Sequence, residues 1–135
     1  RCNCVSMKLG FSLPINFAGP GLSIPHYGTI VINDTVKMGC NCKIHAGVNI
    51  GASGGEKTGP QIGDNVYIGP GAKLVGNITI ASNTVIGANA VVTKSILEEH
   101  VTYAGVPAKK ISDIGSEAHL ICATEIVKSN RKNSA

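Results

Sequence analysis

The stretch "GDNVYIGPGAKLVGNITIASNTVIGANAVV", residues 63–92, has an aliphatic residue at every sixth position: Ile68, Leu74, Ile80, Ile86 and Val92. A helix repeats near 3.6 residues and a strand near 2, so neither alone explains a period of six. The frame reaches back to Ile62 and also runs through Ile32, Met38, Ile44 and Ile50. Four places after most of these stands a smaller residue: Val36, Cys42, Val48, Val66, Ala72, Thr84 and Ala90, with Ile78 the larger exception. Each hexad reads as one short strand and one turn, with these two positions inward. Gly, Asn or Ala commonly follows the aliphatic position, at Asn33, Gly39, Gly51, Gly63, Gly69, Ala81 and Gly87. These are read as corners that favour positive φ. Three hexads make one triangular coil, and each coil buries its interior only by stacking on its neighbours. The fold expected is all-β, a parallel β-helix of hexapeptide repeats.

The frame breaks once. "GASGGEKTGPQ", residues 51–61, is Gly-rich and polar and reads as a loop extruded from one corner. Residues 1–18 form an irregular lead-in with one short strand, residues 19–112 the β-helix, and residues 113–135 a C-terminal helix and tail. In that last segment Leu120, Ala123 and Ile126/Val127 share a helical stripe, Ser116 is placed to act as N-cap and Glu117 suits the first turn. Such a helix would cover the open end of the β-helix and protect its edge.

The composition agrees. Among 135 residues, aromatics are 4%, Trp is absent and Gly numbers 17, so Val, Ile, Leu and Ala must fill the core. Twelve Lys and Arg against eight Asp and Glu give a net charge of +4 without the dense basic patch of a nucleic-acid reader. That weak positive field suits an anionic small ligand. No apolar run of membrane length and no signal peptide is evident. Five Cys do not form a disulfide framework, which points to a reducing cytoplasm. The chain opens on Arg1 rather than Met and reads as a fragment or trimmed chain.

"GPGLSIPHYGTIVIN", "KIHAGVNIG", "QIGDNVYIGPGAKLVGNI", "VIGANAVV" and "YAGVPAKKI" together resemble the serine acetyltransferases, across about residues 19–112. The resemblance implies a left-handed β-helix, a homotrimer, and acetyl-CoA as co-substrate in the groove between neighbouring chains. It implies direct transfer to a hydroxyl of a small acceptor, serine or a sugar. His26 stands where that family carries its catalytic base, and His45, one coil further along the chain, is a second candidate. Ala88 matches a residue whose backbone approaches the pantetheine arm. Lys94 has the spacing seen in sugar acetyltransferases, and Lys109 matches a basic residue near the nucleotide. Three features depart from the family: Pro25 replaces an Asp before the catalytic His, Gly59 replaces a His before Pro60, and no acidic residue precedes Asp34.

An imidazole with an ordinary pKa near 6.5 can take a hydroxyl proton at neutral pH. A Gly-rich corner can supply N–H donors to the tetrahedral oxyanion. On the hexad frame His26 coincides with an inward position, so core filling competes with catalysis for it. His100 and His119 read as surface residues. "CNC" at Cys2/Cys4 and Cys40/Cys42 is tighter than usual zinc spacing, and no metal is expected. A carbonic-anhydrase-type β-helix needs three His ligands, whereas only His26 and His45 lie in the repeat. A trimer that kept the fold and lost turnover is the remaining alternative.

Overall fold

The computed structural model describes residues 8–120 together with 124, 126, 128, 130 and 131. Among these residues thirteen short strands form three sheets. The first holds β1 (Phe11–Ser12), β2 (Ile30–Ile32), β5 (Asn49–Gly51), β8 (Lys73–Val75) and β11 (Val91–Val92). The second holds β3 (Lys37–Met38), β6 (Gln61–Ile62) and β9 (Thr79–Ile80). The third holds β4 (Lys43–Ile44), β7 (Tyr67–Ile68), β10 (Val85–Ile86), β12 (Thr102–Ala104) and the edge strand β13 (Lys109–Ser112). All pairings among these strands are parallel except β12 with β13, which folds back to cover the last edge. The chain visits the sheets in rotation, so the molecule is a three-sided parallel β-helix.

Its interior is the hexad frame. Outside the loop, every frame residue from Ile32 to Val92 is buried, at 6% exposure or less, and so is each smaller partner. A Leu or Ile buried in this way is stabilised by roughly 1.5–3 kcal/mol relative to its exposed state. Regular pairs lie three hexads apart along the chain, as Val31 with Asn49 and Tyr67 with Val85. Asn49 with Lys73 and Lys43 with Tyr67 are four hexads apart, because the loop adds one hexad length. Residues 53–58 are all exposed, while Pro60 is buried in the inward slot two places before Ile62. The surplus therefore leaves and rejoins the coil without disturbing the frame.

The corner chemistry differs from the expectation. Positive φ falls three places after the frame residue, at Asn41, Gly47, Asn65, Gly71, Asn83 and Asn89. Gly39, Gly63 and Gly69 are required by close approach instead. A Cβ on Gly69 would lie 2.8 Å from the Ala88 amide nitrogen, and one on Gly63 2.7 Å from that of Ser82. The next coil passes too near for a side chain.

The described part of the C-terminal segment packs along the side of the prism. Ser116 begins a 3-10 turn (Ser116–Ala118) whose N-cap is Gly115, so Ser116 is not a cap. Its hydroxyl donates to the Asn65 carbonyl and its amide to that of Asn83 at 3.2 Å. Further on, Asn41 Nδ2 donates to Thr124 Oγ1 at 2.8 Å. The segment thus descends the outside of the prism as a strap, along a corner column of three Asn residues. Its anchors are the backbone carbonyls of Asn65 and Asn83 and the side-chain amide of Asn41. Thr124, Ile126, Lys128, Asn130 and Arg131 are helical. Ile126 is 47% exposed, and Ala123 and Val127 lie outside the described residues.

Candidate active site

A break in register sets His26 apart from the core. Val31 pairs with Asn49, three hexads on, whereas Ser23 bridges to Lys43 across a longer stretch of chain. Two extra residues therefore lie between Ser23 and Val31 compared with the coil above. They push His26 and Tyr27 out as an exposed bend, with Tyr27 84% exposed. His26 is accordingly not a core filler.

His45 follows β4 at the next corner, and its amide donates to the Ile68 carbonyl. The rings of His26 and His45 lie 6.2 Å apart. Two further rings extend the row. Tyr67, from the outer face of β7, is 5.1 Å from His45, and His119, carried by the strap, is 5.1 Å from Tyr67. Four rings from four separate segments thus make one continuous wall. Lys73 stiffens the same corner, its ammonium donating to the carbonyls of Gly47 at 2.6 Å and Gly71 at 3.0 Å.

The wall's electrostatics are one-sided. Partial burial pushes the His45 imidazole below its ordinary value, and the charges of Lys43 and His26 push the same way. Its Nε2 is buried without a hydrogen-bond partner among the described residues. Among the described residues no carboxylate contributes to that shift. The described carboxylates are engaged elsewhere: Asp64 accepts the Cys40 amide, Glu56 that of Asn77, and Glu98 and Asp113 hold Lys110 at 2.7 and 2.5 Å. Glu99 and Glu117 flank His100. Asp34 stands in the turn between β2 and β3, on a different corner.

A separate pocket of about 360 Å³ lies at the C-terminal end of the prism, between residues 92–95, Tyr103 and residues 107–110. It brings Lys94 and Lys109 together. Neither forms an ion pair among the described residues, whereas the third lysine there, Lys110, is neutralised by its two carboxylates. Ala88 is exposed at the corner after β10 and does not line this pocket.

The cysteines stand apart from the wall. Cys42 is buried, its thiol is pushed up to about 11 by burial, and its Sγ lies 3.3 Å from the Gly63 carbonyl. It is an unreactive core residue. Cys40 is a half-buried free thiol, and Cys2 and Cys4 lie outside the described residues. Among the described residues no three His, Cys, Asp or Glu gather as a metal site.

Residues 59–94 match the family model described as bacterial transferase hexapeptide (six repeats). This chain is a hexapeptide-repeat protein. Its fold is the left-handed parallel β-helix of that family. It is similar to the serine acetyltransferase of Staphylococcus xylosus, 43% identical over 99 residues, which are 72% of this chain and 45% of that protein. A solved structure of the Brucella abortus serine acetyltransferase with coenzyme A superposes at a TM-score of 0.66 with 38% identity, over 73% of this chain and 41% of that one. The Neisseria gonorrhoeae serine acetyltransferase with serine gives 0.62 and 42%, over 69% and 39%. This hexapeptide-repeat chain thus spans less than half the length of the relatives it matches.

Tyr67 and His119 were not singled out by the sequence. Tyr67 could have been, as a ring in an outward hexad slot one coil above Lys43. His119 could not, because nothing in the repeat tells where the strap runs.

Proposed function

We propose that the protein is an acetyl-CoA-dependent O-acetyltransferase in which His26 is the general base. The observation that carries this reading is the paired imidazoles on adjacent coils: one lifted out of the frame into solvent, the other kept neutral with an open Nε2. His26 takes the proton of the acceptor hydroxyl as its oxygen bonds to the thioester carbonyl carbon. The tetrahedral intermediate then breaks its C–S bond, and the coenzyme A thiolate recovers the proton from the His26 imidazolium. His45 Nε2 offers the acceptor a hydrogen bond. Lys94 and Lys109, free of carboxylates, suit the phosphates of the nucleotide end, and Ala88 the pantetheine arm. The similarity to serine acetyltransferases solved with coenzyme A and with serine supports the co-substrate and a small hydroxyl acceptor. A homotrimer with shared sites, and the cytoplasm, complete the reading.

The test is release of free thiol from acetyl-CoA. His26→Ala should leave the fold and acetyl-CoA binding intact and lower turnover by about 10²–10⁴-fold, the usual share of a general base. A variant that keeps full activity removes His26 from that role. If His45→Ala is the dead variant instead, the base is His45.

A further inference from the structure

We infer that Tyr67 and the strap residue His119 form the acceptor-binding wall of this site, and that the acceptor it fits is a neutral sugar ring rather than a free amino acid. This rests on the transferase reading above and gives that site its acceptor class.

Three observations converge. First, the wall is made of ring faces: His45, Tyr67 and His119 follow one another at 5.1 Å, and the outermost, His119, is exposed. Aromatic faces set beside a few polar groups are how a site holds a ligand with an apolar face and a polar rim. A pyranose has this character, with C–H bonds on one face and hydroxyls around the edge. Second, the charge is wrong for a zwitterion. An α-amino acid brings an ammonium that calls for a carboxylate, yet the charges felt by His45 come from Lys43 and His26. The described carboxylates other than Asp34 already have partners, Glu117 on the strap being paired with His100, and Asp34 stands on another corner. A neutral polyol has no such requirement. Third, the strap that delivers His119 is held in a fixed place. Its root, Gly115–Ser116, is buried, and a Cβ on Gly115 would stand 2.6 Å from the Asn83 carbonyl oxygen. Thr124 anchors it again at Asn41. A side chain held on both sides by anchors is preorganised rather than adventitious.

Two experiments on the full chain test this. Thiol release from acetyl-CoA is compared for L-serine, glucose, galactose and N-acetylglucosamine. A sugar should be the better acceptor. Tyr67→Ala should then raise the acceptor KM roughly threefold to tenfold, the size of a lost aromatic contact, with the KM for acetyl-CoA unchanged. His119→Ala should do likewise, and His119→Phe should restore binding, a rescue that a merely structural histidine would not show. Independently of turnover, titration with the same sugars should shift the ring-proton NMR signals of Tyr67 and His119. L-Serine as the preferred acceptor overturns the inference and leaves the transferase reading standing. Unchanged acceptor KM in Tyr67→Ala also overturns it. No thiol release with any acceptor and no sugar-induced shift overturn the transferase reading and this inference together, whereas sugar-induced shifts without release keep the wall and overturn only the chemistry.

Discussion

His45 Nε2 is a polar atom out of water with no partner among the described residues, and such an atom is costly unless a ligand satisfies it. The sign of its pH effect follows. Burial, Lys43 and His26 hold the folded-state value below the ordinary 6.5, so the unfolded chain binds the proton more readily. The contribution to stability is full above 6.5 and falls as pH drops from there towards the folded-state value, since protonation then favours the unfolded chain. The thermal midpoint should therefore decline from pH 7.5 to 5.5, and His45→Gln should flatten that decline. An identical slope in the variant would show that folding does not lower the His45 value. The sequence identified both imidazoles but placed His26 on an inward frame position. What it could not show was the two-residue surplus between Ser23 and Val31, because register is a property of paired strands and the repeat is irregular there.

At the scale of the element, most of the fold was legible, since a period of six admits few folds and, outside the loop, every frame residue from Ile32 to Val92 is buried. The corner residues were legible in identity but not in cause. Gly at the position after the frame residue answers to a backbone passing within 3 Å, and the positive φ belongs to Asn and Gly two places later. The strap was not legible, because its partners are two corner backbone carbonyls and the Asn41 side chain, which the periodicity leaves unmarked. The loop gives a direct test of frame logic. Removing residues 53–58 brings Ile50 and Ile62 six places apart, with Pro60 already in the inward slot. The shortened coil then has the same three hexads as its neighbours. Only exposed groups and the Glu56 contact to the Asn77 amide are lost. The deletion should cost no more than about 1 kcal/mol, as expected where loop-closure entropy varies slowly with length. Thermal unfolding followed by circular dichroism checks this, and loss of a cooperative transition would show that the loop holds the coil together.

For the whole molecule, a thin prism leaves a large share of its side walls to solvent. Among the described residues, six large apolar ones are at least 65% exposed: Ile15, Tyr27, Leu97, Val106, Ile111 and Ile114. Single exposed apolar side chains are ordinary, but four of these fall within residues 97–114, around the β12–β13 hairpin. That concentration at one end is what a surface covered by a neighbour would show. The Lys94–Lys109 pocket lies at the same end, while the ring wall starts on the coil of His26, so a co-substrate long enough to reach both could lie along a groove between chains. These considerations give the proposed trimer a physical reason beyond resemblance. Sedimentation equilibrium at micromolar concentration should return a mass near three times 13.9 kDa. Ile111→Glu should shift the population towards the single chain, because placing a carboxylate in an apolar contact without a partner costs several kcal/mol. Ile15→Glu, at the other end of the prism, is the matched comparison and should leave the mass unchanged. If the unmodified protein sediments as one chain, the shared site fails, and the pocket and the ring wall must then serve a substrate within a single prism.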